Sequence, residues 1–209
     1  MNLSTKNGAP RFEAAPERRP PTPDLPLEGL IALCHRRWAL PVLAELARAK
    51  GERSVVLRHR LGAPPSALRL TLDELIAAGR VLPNPGYGHP LRPEYVLAGT
   101  AEALGRSALI LWDLIRTRRL ETTAGRKWSL PILAAVGRRP TRFHVLRSRL
   151  EPVTDRALVL RLKGLQRAGL IERSVRDTGP PAAAYRTTDR AAFLLEPIRR
   201  VARAAKAPR

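Results

Sequence analysis

The chain has 209 residues, room for one large domain or two small ones at about 100–200 residues per domain. Apolar residues make up 44%, which excludes wholesale disorder, and aromatics only 4%, so Leu, Val, Ile and Ala must build the core. Thirty-eight Lys and Arg against eighteen Asp and Glu leave a net charge of +20, an excess that calls for an anionic partner, nucleic acid first.

Residues 1–26 hold six of the twenty prolines and a net charge of only +1. They read as a flexible tail rather than a basic arm. From there the pattern predicts a first domain over 27–100. A helix over 38–47 is apolar at Val42, Leu43 and Leu46, with Pro41 in the first turn, where a missing N–H does no harm. A short helix over 54–61 and a turn, Gly62-Ala63-Pro64-Pro65, lead to a third helix with Leu68, Leu72 and Leu75 on one face. Gly79 closes that helix in the left-handed conformation. A strand over 81–83, a Gly/Pro turn at 84–88 and a strand ending at Tyr95-Val96-Leu97 follow.

An apolar helix is expected within 101–120 (Leu104, Ala108, Leu111, Ile115), then a second domain over 121–188 and a last helix at about 189–205 within 189–209 (Phe193, Leu194, Ile198, Val201). The second domain repeats the first. RRWALPVL at 36–43 recurs as RKWSLPIL at 126–133, and LRHRL at 57–61 as LRSRL at 146–150. ALRLTLDELIAAGRV at 67–81 recurs as ALVLRLKGLQRAGLI at 157–171. The register is ninety residues, with a one-residue slip at the middle block. In the second copy Thr154 takes the N-cap of the third helix, Gly169 ends it, and Asp177-Thr178-Gly179-Pro180 turns the hairpin.

Helix–turn–helix followed by a β-hairpin is a winged helix. The expected fold class is therefore mainly α with small β-hairpin wings (α+β): two tandem winged helix-turn-helix domains joined by a shared helix. The two long apolar helices are expected to pack the halves together.

The residues resemble the HxlR family of bacterial winged-helix transcriptional regulators. The resemblance rests on a basic residue and Trp before an apolar helix (Arg37-Trp38, Lys127-Trp128) and on Arg142-Phe143 before the second helix, Arg53-Ser54 in the first copy. It rests also on the Ala-Gly-apolar end of the third helix and on HPLRPEYVL at 89–97. It covers nearly all of 28–205, twice. It implies a sequence-specific regulator of double-stranded DNA, with terminal helices at a dimer interface. Family members usually pair two chains, so two copies in one chain imply an intrachain pseudo-dimer. A redox cysteine does not carry over, because Cys34 lies only four residues before Trp38; a buried structural thiol is the reading.

In such a fold the third helix enters the major groove and the wing touches the flanking backbone. Opposite Leu158, Leu162 and Leu165, the second copy gathers Arg156, Leu160, Lys163 and Arg167, with Val159 and Arg161 at the edges. Arg reads guanine O6/N7, and an exposed Leu or Val meets a thymine methyl. A charged helix face is ordinarily only solvated, but this one lies on the groove-facing side of the third helix. The first copy offers Ser66, Leu70, Asp73, Glu74 and Ala77, with Arg69 at the edge; its two acids would repel phosphates. Backbone contacts are expected from Arg142 and Arg147 around the second helix and from Arg173, Arg176 and Arg186 on the wing. Their first-copy counterparts are Arg53, Arg58, Arg80 and Arg92, with Tyr87 and His89 at the wing tip. Residues 27–120 carry 14 cations and 8 anions, whereas 121–209 carry 20 and 7, so the second domain is expected to hold most of the DNA affinity.

The lone Cys34 excludes an intrachain disulfide and a thiolate metal site, and His35, His59, His89 and His144 lack metal-ligand spacing. No apolar run approaches the ~18 residues of a membrane span, and the N-terminus is polar, so a cytoplasmic protein with no membrane partner is expected. No catalytic constellation is legible: Cys34 and His35, adjacent in sequence, diverge on a helix and make no dyad. Neither an enzyme nor a cofactor is expected. A small-molecule effector and pairing of two chains are compatible with the sequence. The competing reading is a winged-helix interaction or ligand-binding protein that has lost part of its DNA binding, with Leu70 and Leu160 as its docking surface.

Overall fold

A computed structural model describes residues 25–84, 94–175 and 183–206. Residues 1–24 of the tail expected over 1–26, both wing tips and the last three residues lie outside this range. Helix α1 (Leu27–Leu33) buries Leu30 and Leu33 and is closed by Cys34, so Cys34 and His35 follow a helix rather than share one. Helix α2 (Ala39–Ala49) takes Pro41 in its first turn and buries every residue from Ala39 to Leu46. Strand β1 (Glu52–Arg53), α3 (Ser54–Leu61), α4 (Pro65–Ala77), β2 (Val81–Pro83) and β3 (Glu94–Leu97) follow. Then come α5 (Glu102–Thr117), the short α6 (Glu121–Ala124) and α7 (Ser129–Val136). The chain continues through β4 (Thr141–Arg142), α8 (Phe143–Arg149), α9 (Asp155–Arg167), β5 (Ile171–Val175), β6 (Ala183–Thr187) and α10 (Asp189–Ala204).

The helix ends follow their sequence signals. Gly79 and Gly169 stand at φ +63° and +67°, a conformation that costs an L side chain and suits glycine. Each lets the next amide turn back: Arg80 N–H donates to the Leu75 carbonyl at 2.9 Å and Leu170 N–H to Leu165 at 3.0 Å. These bonds satisfy carbonyls that a helix end otherwise leaves open. Two three-stranded antiparallel sheets have orders β1-β3-β2 and β4-β6-β5. In the first, Glu52 faces Tyr95 and Val81 faces Leu97. In the second, Thr141 faces Tyr185 and Ile171 faces Thr187.

One hydrophobic core runs through the described residues. Helix α5 packs against both α2 and α10, and α1 reaches across to α7 and α10. Leu111 and Ile115 of α5 thus share a core with Leu43 and Leu46 of α2 and with Leu194 and Ile198 of α10. At Gly105 the Leu97 side chain fills the space a side chain would need: a Cβ there would stand 2.3 Å from Leu97 Cδ1 and 3.3 Å from Ala47 Cβ. Arg80, at the end of α4, donates to the Ala205 carbonyl at 3.0 Å and ties the tail of α10 to the first half. Among the described residues no helix is long and apolar enough to cross a membrane.

Candidate nucleic-acid interface

Helix α7 carries both α8 and α9 on its surface, and the turn between them is fixed by local bonds. Val153 N–H donates to the Leu150 carbonyl at 2.8 Å. Thr154 Oγ1 accepts from Ala157 N–H at 3.3 Å and caps α9, an end that otherwise leaves N–H groups unmet. Asp155 follows in the first turn, where its charge suits the helix dipole, and accepts from Arg147 Nε of α8 at 2.7 Å.

Leu158, Leu162 and Leu165 anchor α9 in the core, each 1% exposed or less. The opposite face looks outward. Leu160 is 63% exposed and Val159 39%, and Arg156, Lys163 and Arg167 are exposed beside them. Asp155 is the one acid of α9, and Arg147 holds it. Arg161 is half-buried on the flank, its Nε shielded from solvent and without a hydrogen-bond partner. Burial, and then the like charge of Arg126, lower its pKa from the ordinary guanidinium value. On the sheet, Arg173 is exposed, while Arg186 pairs across the strands with Glu172. Arg142 is half-buried at the start of α8.

A family model described as HxlR-like helix-turn-helix matches residues 123–206, the stretch from the end of α6 through α10. Those residues form an HxlR-like helix-turn-helix domain. A solved chain of the MarR family of transcriptional regulators from Porphyromonas gingivalis W83 is 26% identical, with a TM-score of 0.39, covering 42% of this chain and 85% of its own. No curated protein matches the chain.

Outside the HxlR-like domain, α4 presents a different face. Leu70 is 46% exposed, with Ser66 and Arg69 exposed near it. Arg69 pairs with Asp73 at 3.8 Å. Glu74 accepts from Arg36 Nε at 2.7 Å, and that bond holds its carboxyl below the usual carboxylate range. Pro64 precedes α4 and gives no side-chain cap. Arg53 is half-buried at the start of α3 and Arg58 is exposed in its last turn. His89, Arg92 and Arg176, like Tyr87, lie outside the described residues.

Three features escaped sequence reasoning. The first is the Arg36–Glu74 pair, which joins the turn before α2 to α4 across 38 residues of sequence. The second is Glu45 of α2, 3% exposed, with Arg48, Arg60 and Arg116 at 3.7–3.8 Å. The third is Trp128, at φ +74° before α7, where its counterpart Trp38 stands at −91°. A bulky residue in the left-handed region is strained. Cys34 is half-buried, and burial pushes its thiol up to about 12. Trp112 of α5 is a buried core residue, 7% exposed. Among the described residues no group of three or more His, Cys, Asp or Glu side chains could hold a metal ion.

Proposed function

We propose that the chain is a double-stranded-DNA-binding transcriptional regulator without catalytic activity, in which α9 enters the major groove and β5 and β6 approach the flanking backbone. The observation that carries this reading is the exposed face of α9. It offers Arg156, Lys163 and Arg167 around the apolar Val159 and Leu160, with its one acid already held by Arg147. Cations at the rim position the helix on phosphates, while Arg156 and the apolar centre meet base edges. The 90-residue sequence repeat and the shared core support a pseudo-dimer of two winged helices within the chain, with half-sites about 10 bp apart. The neutralised face of α4 leaves most of the affinity to the second half.

The test is fluorescence anisotropy with duplex DNA from upstream of the protein's own gene and a scrambled duplex, each over a salt series. A preference of about a thousandfold or more with a steep salt slope is expected. Arg156→Ala should reduce that preference while leaving the fold intact. Equal affinity for both duplexes, unchanged in Arg156→Ala, refutes base reading by α9. A second reading is favoured at one place: Leu70 sits exposed among ion-paired charges on α4, a surface suited to a protein partner rather than to DNA.

A further inference from the structure

We infer that Arg126 and Arg161 form a clamp for one phosphate of the DNA backbone beside α9, and that the matching place beside α4 is closed by the Arg36–Glu74 ion pair. The inference rests on the DNA-binding reading above and deepens it. Ninety residues separate Arg36 from Arg126, and the same step turns Thr71 into Arg161 and Glu74 into Gly164. In the first half the arginine that precedes α2 is answered: Glu74 accepts from Arg36 Nε at 2.7 Å and stands 2.6 Å from its Nη2. In the second half the acid is replaced by glycine and a second arginine is added.

Nothing described takes the place of the missing carboxylate. Arg126 Nε donates to the Thr122 carbonyl at 3.0 Å, which fixes the side chain without neutralising it. Arg161 Nε is buried without a partner. A Cβ added at Gly164 would meet only Arg161 Nη1, at 4.0 Å, so the space beside the Arg161 guanidinium is open. A buried donor left unmet is costly, and two like charges brought together add to the cost. Just after Arg126, Trp128 is held in a strained backbone conformation that its counterpart does not share. An unmet donor, a like-charge pair and a strained turn at one place fit a site completed by an anion.

The position fits a phosphodiester. The major groove is about 12 Å wide and a helix with its side chains about 10–12 Å across, so the flanks of a docked helix face the backbones. Arg161 lies on the flank of α9, between the buried leucines and the outward face, and is near enough to Arg126 to feel its charge.

The experiment places the missing acid back. Gly164→Glu restores the carboxylate that Glu74 supplies in the first half, and Gly164→Gln is the uncharged control. Both replace a poor helix former in open space, so thermal melting should be unchanged or raised. With a labelled duplex of mixed sequence, Gly164→Glu is expected to weaken binding about tenfold at moderate salt. It should also flatten the plot of log affinity against log salt by about one unit. Gly164→Gln should keep the wild-type slope, and Arg126→Ala should lose the same unit. Equal slopes for the Glu and Gln variants, or a wild-type slope in Arg126→Ala, overturn the clamp while leaving DNA binding standing. Absence of salt-sensitive binding by the wild type overturns the functional reading itself, and the clamp with it. Calorimetry with inorganic phosphate separates the sources: binding that Gly164→Glu abolishes, with duplex slopes unchanged, assigns the site to a free anion and overturns the phosphodiester.

Discussion

Leu158 and Leu160 stand two residues apart on α9, one 0% and the other 63% exposed, and that contrast separates stability from recognition. Truncating a fully buried leucine removes its transfer energy and leaves a cavity, about 2–5 kcal/mol for Leu→Ala. For a chain of this size each kcal/mol shifts Tm by about 2–4 °C, so Leu158→Ala should melt roughly 4–20 °C lower. Leu160 already has most of its surface in water, so Leu160→Ala should stay within about 0.5 kcal/mol of wild type. Its cost should appear in discrimination instead. Loss of an apolar contact to a thymine methyl sits at the low end of the ~1–3 kcal/mol per specified base pair, or about fivefold. Thermal melts by far-ultraviolet circular dichroism, with anisotropy against a selected and a scrambled duplex, measure both. If Leu160→Ala melts as low as Leu158→Ala, the faces of α9 are misassigned. If it keeps full stability and full discrimination, that face does not read bases.

Thr154→Ala removes the cap of α9 and should cost about 1 kcal/mol, seen as a lower denaturant midpoint with an unchanged slope, and Thr154→Ser should restore it. Cys34 should resist alkylation at neutral pH in the folded protein, because burial holds its pKa at about 12 against an ordinary 9.0. Labelling should accelerate about a hundredfold or more in denaturant. The sign follows from linkage. The folded state binds this proton more tightly, so the contribution to stability is complete below about pH 9 and is lost as pH rises toward 12. Rapid labelling of the folded protein at neutral pH refutes the raised thiol pKa.

Most helices were legible because their signals are local; α1 and the four-residue α6 were not read from the sequence. Leucines at 68, 72 and 75, and again at 158, 162 and 165, mark one face of a 3.6-residue period, and the glycines at 79 and 169 mark where that period stops. The third strand of each sheet was not legible. Strands β1 and β4 are two residues long, too short to show alternation, and exist only because β3 and β6 offer an edge. Ion pairs were not legible for a related reason. Arg147 with Asp155 joins two helices and Arg36 with Glu74 joins the turn before α2 to α4, so their meeting depends on how those elements pack, which no window of sequence reports. The burial of Arg161 escaped likewise: the helical period placed it at the edge of the charged face, yet its Nε is shielded from solvent. On the wings, the sequence marks Arg173 and Arg186 as equals, yet only Arg186 has an acid opposite it on the neighbouring strand.

The repeat has a consequence for recognition in the proposed reading. A homodimer must offer two identical recognition helices, because one sequence supplies both, and its two halves meet only as concentration allows. A pseudo-dimer of two copies on one chain, as proposed above, would escape both constraints, and the continuous core through α5 is consistent with it. The spacing of α4 and α9 becomes a property of the fold, and the two faces are free to diverge. Here they have diverged: Ser66, Asp73 and Glu74 stand where the second copy has Arg156, Lys163 and Gly164. Such a pair has no reason to prefer a perfect palindrome. The expected operator is one strong half-site read by α9, with a weaker or unspecified half-site about one helical turn away. Selection from a random duplex library checks this: an enriched site with equal, inverted halves would show that α4 and α9 read DNA alike, and would count against the division of labour derived from their charges.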